Sequence, residues 1–376
     1  IPDFDVQKLI VSATHTHTGP VMREGKYTIS DDDVMRPAEY TEFMARRVAD
    51  AAAAAWHARK PAKAGWGMAD ALVGYNRRSY FADGHARMYG DISVDEFRGI
   101  EGPEDHAIET LFFWDEDDQL IATALNVVCP AQEVESRSAV NADFWHPVRK
   151  QLKAKYGEDL VVLGWAGAAG DQSPHIRYRK AAEDRMRELR GLTRLEEIAR
   201  RIVRAWEEAY TAAQKEKFGD VPLVHVVKPI ELPRRAVTEE EYRDVQEQIE
   251  AASKEPKHSR RIKWHEAVLD RYEKQQGGPL DPYIMELHAV RLGDVAITTN
   301  DFELFTQYGI QMKAKSKALH TFIIQLAGPG SYVPTPFAAR GGGYSAVVQS
   351  NQVGPEGGQV LVDETVAAVN ALWQNQ

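Results

Sequence analysis

The chain has 376 residues, a formal net charge of −10 and a hydrophobic share of 43%. That is enough apolar material for a large core, yet no apolar run reaches the roughly 18 residues that cross a bilayer. The negative balance repels phosphate backbones, which argues against nucleic acid as a partner and for a small-molecule substrate, and it leaves room for a homo-oligomer.

Ile1-Pro2-Asp3-Phe4-Asp5 lacks an initiator Met and a basic leader, so a processed or truncated N-terminus is expected. Localisation stays open between a bacterial periplasmic or secreted protein after processing and a cytoplasmic one. Lys8 to Ala13 then predicts a buried strand ending at His15. Pro37 to Arg59 carries Met44, Val48, Ala52 and Trp56 at helical spacing. Ala62 to Tyr75 is a strand region. Thr110–Trp114 and Leu120–Val128 form a hairpin across Asp115-Glu-Asp-Asp118.

Phe144 to Tyr156 predicts a short helix and Leu160 to Trp165 a buried strand, which breaks into Ala166-Gly-Ala-Ala-Gly-Asp171-Gln-Ser173-Pro174-His175. Lys180 to Lys217 is helical and Val221 to Leu232 a strand. Thr238 to Gln275 is expected as two helices broken near Pro256. Ile284 to Thr299 predicts a hairpin turning at Gly293-Asp294. A helix through Lys315, a strand over Thr321–Leu326 and a last helix over Val360–Trp373 complete the chain. This alternation predicts one α/β domain over residues 1–376, a mixed β-sheet core flanked by helices.

Several predicted strands end in loops holding reactive side chains: His15 and His17, Cys129, Asp171 and Ser173, Glu303, and Tyr332. Loops at strand ends are where α/β folds build sites. In extended backbone, His15-Thr16-His17 puts both imidazoles on one side, giving two metal ligands or a ligand and a general base. Cys129, the single cysteine, excludes an internal disulfide. It has three readings: a buried small hydrophobe, a thiolate ligand, or a nucleophile. The small residues before Ser173 let backbone N–H groups approach an oxyanion. Arg77 and Arg78 offer a grip on a carbonyl oxygen.

These motifs together resemble the catalytic domain of the neutral/alkaline (non-lysosomal) ceramidases. Thr14-His15-Thr16-His17-Thr18-Gly19-Pro20 is similar to that family's Thr-His-Thr-His-Ser-Gly-Pro. Asn76-Arg77-Arg78-Ser79 is similar to its Asn-Arg-Ser, and Gly170-Asp171-Gln172-Ser173-Pro174 to its Gly-Asp-Val-Ser-Pro. The resemblance implies a zinc amidohydrolase. His15, Glu303 and Tyr332 would hold Zn2+, Tyr332 being preferred to Tyr344 by its context. His17, Arg78, Asp171 and Ser173 would serve the reaction. Cys129 stands where the family has a second zinc-binding His, and the ligand reading is placed ahead of the nucleophile.

The family's carboxy-terminal immunoglobulin-like domain is not expected within the chain, and the charged helical segments point to a substrate more polar than ceramide. Two alternatives remain at this stage. One is a metal-assisted glycosidase or esterase using Asp143, Asp171, Glu133 and Glu135; the other is a non-catalytic binding protein with a degenerate site.

Overall fold

The computed structural model describes residues 3–374 other than 26, 28, 30–32 and 254–258. In chain order the elements are α1 (Pro37–His57), β1 (Lys63–Asp70), β2 (Tyr75–Asn76), β3 (Arg78–Phe81), β4 (Ala86–Met88), β5 (Phe97–Ile100), β6 (Ala107–Trp114) and β7 (Leu120–Val127). There follow α2 (Trp145–Tyr156), β8 (Val161–Ala166), β9 (Gln172–Ser173), α3 (Lys180–Leu189), α4 (Arg194–Ala213), β10 (Leu223–Leu232), α5 (Glu239–Ser253) and α6 (Ser259–Gln276). The remainder are β11 (Tyr283–Leu292), β12 (Val295–Thr299), β13 (Glu303–Leu304), α7 (Thr306–Lys315), β14 (His320–Ile324), β15 (Tyr332–Val333), α8 (Pro336–Gly341) and α9 (Pro355–Ala371).

The α/β class with mixed pairing holds, but the strands divide into two principal sheets rather than one. The first runs β1-β6-β7-β8 and the second β10-β11-β12-β14. Each is antiparallel except for one parallel pair, β7 with β8 and β12 with β14. Periodicity within a strand does not reveal which strands pair, so the split was not legible from the sequence.

Side-chain alternation explains the layering. On β6, Ile108, Phe112 and Trp114 turn one way and join Trp206, Ile202 and Ile198 of α4 in a large core cluster. Leu111 turns the other way and meets Ala124, Val295 and Phe322 between the two sheets. Beneath the second sheet, Leu287, Met285 and Ile323 pack on Tyr308 and Met312 of α7 and Leu361 and Val362 of α9. The layers therefore run helix, sheet, sheet, helix. Helix α4 starts at a capping box in which Thr193 and Glu196 each satisfy the other's backbone N–H.

The predicted strand over Lys8–Ala13 is not formed. Asp5 caps a 3-10 turn at Val6–Lys8, and the chain beyond it runs extended without a ladder. Ala13 makes one backbone bond to the Leu326 carbonyl, 3.0 Å. Val11 is exposed, so the apolar run stays at the surface. The expected helical pair appears as α5 and α6, and its break near Pro256 lies outside the described residues.

The ends of β7, β8, β12 and β14 come together on one side. Gly167 bonds to Val127, Gln325 to Ala166 and Asn300 to Ile324, at 2.8, 3.0 and 2.9 Å. The loops that carry the predicted reactive residues leave from this edge.

Candidate active site

Alternation within Thr14–Thr18 is used in an unexpected way. The Thr16 and Thr18 hydroxyls both donate to the Asn141 carbonyl, at 2.8 and 3.2 Å, and the Thr14 carbonyl accepts from Ala131 N–H at 2.9 Å. The threonines staple the loop while the histidines project from it. His15 has φ 67°, a left-handed conformation unfavourable for a non-glycine residue, so the two imidazoles do not share an extended strand. Their ring centroids are nonetheless 4.9 Å apart.

His15 Nε2 lies 3.6 Å from Glu303 Oε2, and His17 Nδ1 lies 3.4 Å from Glu135 Oε1. Glu303 and Tyr332 are register partners in the parallel β13–β15 pair, which puts carboxyl and phenol side by side. Arg77 completes the cluster. One guanidinium nitrogen donates to the Tyr332 phenol at 3.2 Å and to the Gly170 carbonyl at 2.8 Å, and it stands 3.8 Å from Glu303 Oε2.

Burial sets the protonation states. The His15 imidazole is pushed down to about 3 by burial, with His17 and Arg77 adding to the effect. The Glu303 carboxyl is pushed up to about 7 by burial, against the opposing pull of Tyr332 and Arg77. Burial also holds the Tyr332 phenol well above its ordinary range, and Arg77 again opposes. At neutral pH His15 is thus a neutral imidazole with a free lone pair, and Arg77 favours the ionised forms of both oxygen donors.

Glycine makes the close approach affordable at one position. A Cβ on Gly170 would fall 2.3 Å from the Glu303 carbonyl oxygen, and Gly170 N–H bonds Leu304 O at 2.8 Å. Asp171 is a bracket. Its carboxylate accepts from the Thr306 N–H and hydroxyl at 2.8 and 2.7 Å and from Asn76 Nδ2 at 3.1 Å, and its carbonyl accepts from Arg77 N–H. It positions Arg77 while its own acid function is fully engaged.

The arginine that reaches the cluster is Arg77; Arg78 does not. Successive side chains leave opposite faces, and Arg78 is fully buried on the other one. There it pairs with Glu101 through two nitrogens, and it also donates to Ser345 Oγ at 3.1 Å and the Gly342 carbonyl at 2.6 Å. Ser173 is fully buried with no hydrogen-bond partner on its hydroxyl among the described residues. Cys129 sits in the first core cluster, its thiol donating to the Pro130 carbonyl at 3.5 Å. Burial raises that thiol well above its ordinary range.

Among the described residues no three His, Cys, Asp or Glu side chains gather as a metal ion would require, so Cys129 is not brought to His15 and Glu303. The set that does converge is His15, Glu303 and Tyr332. The 3.6 Å between His15 Nε2 and Glu303 Oε2 is close to the ~3.3 Å expected of two donors on one tetrahedral zinc. Glu303 links the set, with His15 on one side and its register partner Tyr332 on the other.

Tyr89, which no periodicity or motif singled out, lies as near Arg77 as Tyr332 does. The guanidinium carbon is 5.9 Å from the Tyr89 ring centroid and 5.8 Å from that of Tyr332.

This architecture recurs in solved structures. The neutral ceramidase from Pseudomonas aeruginosa superposes with a TM-score of 0.61 at 14% identity, over 89% of this chain and 56% of its own. A ceramidase complexed with C2 superposes with a TM-score of 0.63 at 12% identity, over 96% of this chain and 61% of its own. The fold is the neutral ceramidase fold. The chain spans about three fifths of the length of these neighbours. No family model and no curated protein matches the sequence.

Proposed function

We propose that this chain is a zinc-dependent hydrolase that cleaves an amide (N-acyl) bond in a substrate more polar than ceramide. The observation that carries the reading is the convergence of His15, Glu303, Tyr332 and Arg77 at the loop edge of a neutral ceramidase fold.

His15, Glu303 and Tyr332 would hold the zinc. When bound, the metal supplies Lewis-acid polarisation of the scissile carbonyl and a water acidic enough to act near neutral pH. The residues of the chain do the rest. His15 is kept unprotonated by burial, which leaves a nitrogen lone pair for ligation. Arg77, fixed by Gly170 and Asp171, presents a cation where negative charge develops on the carbonyl oxygen. His17, its Nδ1 3.4 Å from Glu135 Oε1 and its ring against that of His15, would orient the attacking water.

Carboxylate-pair glycoside chemistry is less well supported. Asp171 is committed to Thr306 and Asn76, and Asp143 to the N–H groups of Val134 and Phe144. A panel of N-acyl amides, esters and chromogenic glycosides tests the reading. Zinc-dependent release of the amine from N-acyl amides is expected; turnover confined to glycosides would contradict it.

A further inference from the structure

Beside the cluster lies a second polar array that the amide-cleaving reading does not use. Gln132 Nε2 donates to the Tyr89 phenol oxygen at 3.2 Å, and that oxygen is 3.1 Å from His175 Nδ1. The Tyr89 oxygen already accepts from Gln132, which leaves its O–H to donate to His175 Nδ1. In the neutral ring Nδ1 then accepts from the Tyr89 O–H. The backbone is strained to hold this arrangement: Tyr89 has φ 55°, and its N–H is tied to the Arg77 carbonyl at 2.8 Å. Gln132 is fully buried, and its Oε1 has no partner among the described residues.

We propose that Tyr89 is a catalytic residue and that Tyr89 and His175 form a phenol–imidazole proton relay for the amide hydrolysis. The inference rests on the amide-cleaving reading above. As water attacks the carbonyl carbon, its proton passes to the Tyr89 oxygen while the Tyr89 proton passes to His175 Nδ1. As the C–N bond breaks, the same path runs backwards and delivers one proton to the leaving nitrogen. The water oxygen ends in the carboxyl product and no other reagent is consumed. Gln132 and the Arg77 guanidinium stabilise the phenol oxygen while it is electron-rich. His175 is neutral at rest because burial lowers its pKa; Arg77 and Arg194 reinforce this, and Glu135, Asp143 and the Glu133 carbonyl oppose it.

Two measurements test the relay independently. The first is the ¹⁵N spectrum of histidine-labelled protein, which needs no substrate. A neutral His175 protonated at Nε2, with a hydrogen-bonded Nδ1 that shifts in Tyr89→Phe, is the expected result; an Nδ1 resonance untouched by that change overturns the proposal. The second is kinetic. Tyr89→Phe should lower kcat on an N-acyl amide by ~100-fold or more with KM little changed. It should lower kcat on a nitrophenyl ester far less, since that leaving group departs without a proton. Equal losses on both substrates, or an effect confined to KM, overturn the relay. His175→Asn should reproduce the amide–ester split; an unchanged ratio overturns it equally. If the wild-type chain cleaves esters but no amide, the amide-cleaving reading fails, and the histidine spectrum still decides whether the pair exists.

Discussion

Glu303 and Tyr332 face each other as register partners in a parallel ladder of only two residues per strand. The carbonyl of the same Glu303 presses against Gly170. Acid, phenol and the loop that carries Asp171 and Ser173 are therefore one mechanical unit, and a disturbance at Gly170 is felt at the carboxyl.

Gly170→Ala puts a methyl group where the Glu303 carbonyl already stands. We expect a stability loss of about 1–3 kcal/mol and a fall in activity. Urea unfolding together with amide turnover measures both. A variant as stable and active as the parent would show that the two loops separate easily.

The adjacent arginines should behave differently. Arg77→Lys keeps a charge but loses the planar guanidinium whose one terminal nitrogen meets Tyr332, Glu303 and Gly170 together, so kcat should fall by ~100-fold or more while folding persists. Arg78→Met removes one partner of a buried ion pair with Glu101 and should cost about 3–5 kcal/mol of stability. Chemical unfolding beside steady-state kinetics separates them; a catalytic defect without a stability loss in Arg78→Met would reverse the assignment.

Acid sensitivity has a defined source on α4. Glu197 is almost fully buried and accepts from Arg200 at 2.7 and 2.9 Å and from Arg201 at 3.1 Å, which pushes its carboxyl down to about 2. A carboxyl with a depressed folded pKa stabilises the protein above its unfolded value near 4.5 and loses that contribution as pH falls toward 2. Glu197→Gln should therefore be less stable than the parent at pH 7, by on the order of 2–3 kcal/mol, and the gap should narrow steadily below pH 4.5. Unfolding curves from pH 7 to pH 3 check this; a gap independent of pH would assign the loss to packing.

Long periodic stretches were legible in the sequence because each is decided locally. The β6–β7 hairpin and the β11–β12 turn at Gly293-Asp294 appear where periodicity and turn residues place them, whereas the helical stretch over Lys180–Lys217 divides into α3 and α4 at Gly191, in the left-handed region, and the Thr193 cap. The strand over Lys8–Ala13 does not form because an apolar run does not by itself specify a ladder partner, and this run stays at the surface with Val11 exposed. The site was legible only in part. His15 and His17 announce themselves by spacing, and Glu303 and Tyr332 came through the resemblance. The choice of Arg77 over Arg78 depends on which face of a short strand meets the cluster, which two adjacent identical residues cannot reveal. The resemblance placed Cys129 as a ligand where its strand-end position alone also allowed a small buried hydrophobe, and its thiol turns into the core. Tyr89 left no sequence signal, since its role depends on a left-handed backbone and on partners from two distant loops.

The most direct test of the account is zinc content by elemental analysis of the intact chain beside Glu303→Gln and Cys129→Ala. The account predicts about one zinc per chain in the intact protein and in Cys129→Ala, and its loss in Glu303→Gln. Zinc retained by Glu303→Gln, or lost on changing Cys129 alone, would contradict the His15, Glu303 and Tyr332 centre.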